Sequence, residues 1–307
     1  MEAGRPVSSN RRFFHQRPDT KVHLGSDFLE TSRNQTGIVS ATEIEQGNSR
    51  QNTEKAQFVS TEKAEAIIIR QADFSESSRV ITFFSKEFGK FAALAKGAKR
   101  LKGPFDAALD LLSTCRIVFL RKSTGSLDLL TQASLVRKFT PASGNLQALY
   151  VGYYVAELLC LLTEDYDPDP RIFDLTVHAL ETLSSADVDT LFVVVRFESR
   201  LLTLVGIMPN LDECSVCGDP VKAGQKFAHW VSQGGLLCEN CRQQEYAGRS
   251  VTSGAIAVLR QLTKSDSDLT QRVRPTREQI TECHQLAVSV MVNLIGRKPS
   301  TLRYLPF

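Results

Sequence analysis

The sequence predicts an α+β chain of several domains: a small β-barrel, then a helical domain interrupted by a four-cysteine metal module. Three observations carry this. Short apolar runs broken by turn residues fill 65–140; a helical apolar period begins near residue 144; and two C-x2-C pairs stand at 214–217 and 238–241. At 307 residues and 42% hydrophobic content, two or three domains with real cores can form.

Residues 1–60 are rich in Ser, Thr, Asn, Gln and Arg, and their apolar residues fit neither a period of 2 nor one of 3.6. Such a segment buries too little to offset its chain entropy and is expected to be disordered.

The runs EAIIIR, SRVITFFS, KFAALAKG, LSTCRIVFL and LDLLTQASLV read as five strands, with turns at Glu87-Phe88-Gly89 and Ser123-Thr124-Gly125. Five strands in so short a span (61–142) suit a closed barrel that removes its exposed edges. GPFDAALDL, between the third and fourth strands, is a candidate short helix.

Helices follow over 143–209 and 248–307. LQALYVGYYVAELLCLL puts Leu146, Leu149, Tyr150, Tyr153 and Cys160 near one face. After the acidic break DYDPDP, Asp169-Pro170 supplies a cap and an N1 proline for a helix with Ile172, Thr176, Ala179, Leu180 and Leu183 inward. A third helix spans about Thr190 to Val205 with Gly206 at its end, and another about Ser253 to Leu262. Thr276 and Gln279 form a capping box for the last helix, in which Ile280, Cys283, Ala287, Met291 and Leu294 face inward.

Residues 210–247 interrupt the helices and contain Cys214, Cys217, Cys238 and Cys241. Two C-x2-C turns brought together complete a tetrahedral four-thiolate site, best suited to one structural Zn2+ ion. A redox pair would need a thioredoxin-like sheet, a catalytic zinc an open position, and an iron–sulfur cluster a different arrangement. The cysteine usage, with no secreted-style framework, indicates a reducing, intracellular setting, and no apolar run is long enough for a membrane helix.

Enzyme signatures are missing. GAKRLKGP spaces its glycines wrongly for a phosphate loop and lacks the following Lys and hydroxyl, and neither G-x-G-x-x-G nor G-x-S-x-G occurs. Glu164, Asp165, Asp167 and Asp169 could build a metal-dependent nuclease, but their spacing around two prolines reads as a solvated loop between helices. No catalytic residue is assigned.

Net charge is only +3, yet between Lys86 and Lys122 nine basic residues face three acids. Cations beside aromatic rings on a small barrel are how single strands are held without sequence preference. The expected phosphate contacts are Lys90, Lys96, Lys99, Arg100, Lys102, Arg121 and Lys122, with Phe91 and Phe105 as stacking rings and the two basic turns lining one groove.

The succession EAIIIRQADFSESSRVITFFSKEFGKFAALAKGAKR, a second basic strand pair, YYVAELL, the two C-x-x-C pairs and LIGRKPSTLRYL resembles the RecO family of bacterial recombination mediators over about residues 62–305. The resemblance implies an N-terminal OB-fold barrel, a helical domain and an embedded zinc module. It further implies non-catalytic work in a bacterial cytoplasm: binding single- and double-stranded DNA, annealing complementary strands, and acting with RecR to load RecA onto DNA coated by single-strand binding protein, whose C-terminal tail the family engages through the helical domain. The N-terminal extension departs from the family pattern. The alternative is a zinc-ribbon nucleic-acid-binding factor of transcription or translation.

Overall fold

The computed structural model describes residues 59–307 apart from 101–104, 106–107, 123–126, 143, 231–234, 243–249 and 265–273. The expectation for 1–60 therefore falls outside the described residues, except that the first strand already begins at Val59.

Strands β1 (Val59–Asp73), β2 (Arg79–Ser85), β3 (Gly89–Ala95), β4 (Thr114–Lys122) and β5 (Asp128–Arg137) close into a barrel of order β1-β2-β3-β5-β4. Every pairing is antiparallel except β3 with β5, the parallel seam that closes it. Alternate residues of β3 point inward, so Phe91, Ala93 and Ala95 join Ile68, Ile81, Phe83, Ile117, Phe119 and Leu130 in the barrel core. Alternation fails in AIII of β1 because both faces are covered. Ala66 and Ile68 point into the barrel, while Ile67 and Ile69 belong to the helical core. The described part of GPFDAALDL consists of turns, with Ala108 N donating to Phe105 O, rather than a helix, and the Ser123-Thr124-Gly125 turn lies outside the described residues.

The helical body comprises α1 (Leu146–Leu162), α2 (Pro170–Leu183), α3 (Thr190–Leu204), α4 (Ser253–Leu262), α5 (Arg277–Ile295) and a C-terminal 3-10 helix (Ser300–Tyr304). Sequence caps are used as anticipated. Asp169 accepts from Arg171 N with Pro170 at N1, and Thr276 and Gln279 complete their capping box. Glu157 of α1 accepts from Ser300 N, Thr301 N and Thr301 Oγ1, pinning the 3-10 helix.

The expected inward faces need two corrections. In α1 the buried stripe is Ala148, Val151, Gly152, Tyr154, Val155, Ala156, Leu158 and Leu159, whereas Leu146 is exposed and Leu149, Tyr150, Tyr153 and Cys160 are only half-buried. A helix apolar nearly all round offers no periodic cue to the face its neighbours will cover. Leu294 of α5 is also exposed, one residue from the helix end.

The α1–α2 loop joins the two halves. Tyr166 N donates to Lys90 O at 2.8 Å, so the loop lies along β3. Gly89, at φ +66°, lies against this loop: a Cβ there would lie 2.3 Å from Asp167 O.

Strands β6 (Lys226–Trp230), β7 (Gly235–Leu237) and β8 (Ser250–Thr252) form a sheet of order β7-β6-β8 in the cysteine module. The sheet thus reaches past residue 247, the edge expected from sequence. β8 runs straight into α4, with Thr252 as the helix N-cap. Thr252 also donates to Glu282 of α5 from its N–H at 2.8 Å and its hydroxyl at 2.6 Å.

Candidate metal centre and nucleic-acid interface

Cys214 and Cys217 stand on a turn closed by Gly218 N donating to Cys214 O, and Cys238 and Cys241 on one closed by Cys241 N donating to Cys238 O. Backbone pairing brings the turns together: Ser215 N donates to Leu236 O, in the middle of β7, at 2.8 Å. Contact is so close that a Cβ on Gly235 would lie 1.9 Å from Ser215 Oγ. The four Sγ atoms lie within 4.8 Å of one another, with Cys217 and Cys238 at 3.7 Å. Thiolates bonded at about 2.3 Å to a tetrahedral ion sit about 3.8 Å apart, so the donor set fits such an ion. Burial pushes the Cys214 thiol up, but the N–H groups of Cys217, Cys238 and Val216 outweigh burial and bring it down to about 6. Cys241 is pushed up, foremost by Cys238 beside it. Four crowded thiolates need a cation to coexist.

Among the described residues no other group of acids, histidines or cysteines could hold a metal. The acids of DYDPDP have separate structural tasks: Asp165 pairs with Lys90 at 3.5 Å, Asp167 presents its carbonyl to Gly89, and Asp169 caps α2. Among the described residues these acids do not gather into a metal-holding group.

The basic residues divide sharply. Lys90, expected on DNA, is largely covered, and its Nζ donates to Cys160 O at 3.0 Å and Thr163 O at 2.5 Å. It is a C-terminal cap for α1, where carbonyls lack partners and the helix dipole is negative. Phe91, 1% exposed and stacked on Phe119 at 4.5 Å, is a barrel-core ring, and Phe105, 6% exposed, plugs the same core. Neither can stack on a base, because period-2 alternation points Phe91 inward and the closed barrel needs large rings to fill it.

Arg121 lies over the Tyr166 ring at 4.5 Å and the Phe88 ring at 5.7 Å. Tyr166, which donates to Asp128, is itself stacked on Phe91. Burial raises the Tyr166 phenol above its ordinary value, helped by the Asp128 carboxylate, so it stays a donor. This places Arg121 beside the β2–β3 turn, whereas Lys96, Lys99 and Arg100 leave the opposite end of that hairpin. Lys90 and Lys96 are six steps apart along the strand, so the two ends of the hairpin lie about 20 Å apart. Arg121 and Lys122 end β4 beside Asp128, which pairs with Ala93, so the second basic turn begins level with the middle of β3. Lys122 is half-buried, and Lys102 lies outside the described residues.

At the exposed end, Lys96 and Arg100 line a hollow of about 340 Å³ with Phe74, Ser77 and Ser78 of the β1–β2 turn, and Lys99 reaches Ser75 O of the same turn. Lys99 bonds Asp73 Oδ2 at 3.0 Å and Ser75 O at 3.2 Å, while Lys96 and Arg100 have no acidic partner among the described residues. Between the two ends the outward side chains of the hairpin are Val80, Thr82, Ala92 and Leu94, a low floor without acids. Sequence reasoning missed Phe74; the available signal was a lone aromatic among Asp, Ser and Glu at a hairpin tip.

Comparison with known proteins agrees with this architecture. Residues 59–139 match the family model "Recombination protein O N terminal" and residues 143–303 match "Recombination protein O C terminal". The chain is similar to the DNA repair protein RecO of Rhodopirellula baltica, 39% identical over 198 residues, which cover 64% of this chain and 73% of the relative. It is also similar to the DNA repair protein RecO of Desulfatibacillum aliphaticivorans, 31% identical over 245 residues, covering 78% and 94%. The boundary between the matched segments falls between β5 and α1, where the barrel gives way to helices. The chain belongs to the RecO family of DNA repair proteins.

Proposed function

We propose that this protein is a non-catalytic recombination mediator that binds single- and double-stranded DNA, anneals complementary strands and, with RecR, helps load RecA onto DNA coated by single-strand binding protein. The observation that carries the reading is the cationic end of the barrel, with Lys96 and Arg100 exposed and unpaired by acids among the described residues. The strand order 1-2-3-5-4 supports assigning the barrel as an OB-fold, whose strand 2–3 face and adjoining loops bind oligonucleotides. Lys96, Lys99, Arg100, Lys102 and Lys122 are the proposed phosphate contacts, with Arg121 at the far end of the hairpin.

Annealing needs no covalent chemistry: a surface that neutralises two strands lowers their repulsion. The four thiolates hold one structural Zn2+, which organises the small sheet and takes no part in a reaction. The bacterial cytoplasm is the proposed location, and the tail of single-strand binding protein the proposed ligand of the helical body.

The test is annealing of complementary oligonucleotides precoated with single-strand binding protein, combined with salt titration of binding. Five phosphate contacts on a single strand predict a slope of about −3.5 in log K against log salt, from about 0.7 per contact. The Lys96→Ala/Arg100→Ala variant should lose about 1.4 of that slope and anneal more slowly. A slope near zero, or unaltered annealing by the variant, refutes the reading.

A further inference from the structure

Phe74 is 63% exposed, the highest among the exposed large apolar side chains of the described residues. Its loop is nevertheless held firmly. Phe74 N and Ser75 N both donate to Ser78 O, at 3.0 and 3.2 Å. From the other side Lys99 N donates to Ser77 O at 3.2 Å, and Lys99 Nζ reaches Asp73 and the Ser75 carbonyl. Arg79 Nε adds a bond to Asp73 Oδ1 at 3.1 Å. The β1–β2 turn is thus stapled to the exit of β3, and the ring is displayed on a fixed mount.

Charge around the ring is sorted by the same staples. Lys99, and then Arg79, hold the Asp73 carboxyl below its ordinary value, so its negative charge is matched by those two. Lys96 and Arg100, which line the hollow with Phe74, face no acid there. An apolar ring kept in water costs free energy that burial elsewhere would recover. A rigid ring beside two unmatched cations suits a ligand that pairs a flat π-face with a phosphate, the repeating unit of a nucleic-acid strand.

We propose that Phe74 is a stacking platform for an unpaired base of single-stranded DNA whose flanking phosphates are held by Lys96 and Arg100. This rests on the DNA-binding reading above and deepens it. Bases in a duplex are already stacked on both faces, so the platform favours single strands over duplex, a preference that the cations alone do not provide.

The experiment uses the full chain and its Phe74→Ala, Phe74→Trp and Lys96→Ala/Arg100→Ala variants, titrated into a labelled oligonucleotide, an abasic oligonucleotide of equal length and a duplex. Phe74→Ala should weaken binding to the ordinary single strand about 5- to 100-fold and leave the abasic strand, the duplex and the salt slope unchanged. Phe74→Trp should retain wild-type affinity. Equal losses for Phe74→Ala on ordinary and abasic strands would mean that the ring only shapes the loop, which overturns the proposal. Unchanged single-strand affinity in Phe74→Ala, with a loss in Lys96→Ala/Arg100→Ala, overturns the platform but leaves the DNA-binding reading standing; no loss in either variant overturns both. Lost binding of a protein partner with DNA affinity intact would assign the ring to a protein surface and likewise overturn it.

Discussion

Gly89→Ala tests the joint between barrel and helices. The position sits at φ +66°, where a side chain costs about 1–2 kcal/mol. The new methyl would also lie 2.3 Å from Asp167 O and 2.6 Å from Asp167 C, backbone atoms that no rotamer change can move. Ordinary contact begins near 3.4 Å, so the α1–α2 loop must retreat by about 1 Å. Retreat strains the 2.8 Å bond from Tyr166 N to Lys90 O, worth about 1 kcal/mol, and lifts the Tyr166 ring from Phe91 and Arg121, worth about 1 kcal/mol more. The sum is about 3–4 kcal/mol, or a fall in Tm of about 6–16 °C for a folded unit of this size. Gly206→Ala is the control, because Gly206 has φ +77° with nothing within 4 Å of a Cβ. It should lose only the dihedral part, about 2–8 °C. Both are read by calorimetry or circular dichroism. If Gly89→Ala melts at or above Gly206→Ala, the close approach of the loop to β3 does not hold the halves together.

Two further outcomes follow from the geometry. The native protein should carry one zinc per chain, measured as metal released by a thiol-specific mercurial, and Cys217→Ser should carry almost none and melt several degrees lower; full occupancy in the variant would exclude a four-thiolate site. Glu157 gives a pH dependence: burial pushes its carboxyl up, but bonds from Thr301 and Ser300 outweigh burial and hold it below 4.5. Because the folded value is depressed, its stabilisation is fully present above the unfolded value near 4.5 and is lost as pH falls through the folded value. Glu157→Gln should therefore lower Tm at pH 7 and converge with wild type as pH falls through the depressed folded value; an offset that stays constant through the acid range would contradict this.

How far the sequence could be read depended on how local each determinant was. The four-cysteine cluster was legible because both turns declare themselves within four residues, and α2 because its polar face is distinct. α1 was misread because an apolar helix can be turned without disturbing its pattern. Lys90 and Phe91 show the limit most clearly. Adjacent in a strand, they point to opposite faces, one to the end of α1 and one into the barrel. A count of charge and rings along the chain treats both as surface. Nothing near Gly89 announces that a loop 78 residues later will press against it, since that contact exists only once two halves have packed.

Thr252 gives the cysteine module a different standing from a bead on a string. One residue ends β8, caps α4 through Ala255 N and anchors to Glu282 of α5, while His229 of β6 is hydrogen-bonded to Ser289 on α5. Because β8 passes directly into α4 and is bonded to α5, free energy released if the thiolates close on the proposed ion would be shared with α4 and α5. Such an ion would then act as a ligand of the whole helical body: its chemical potential would set where that body melts, and module and body would unfold in one cooperative step.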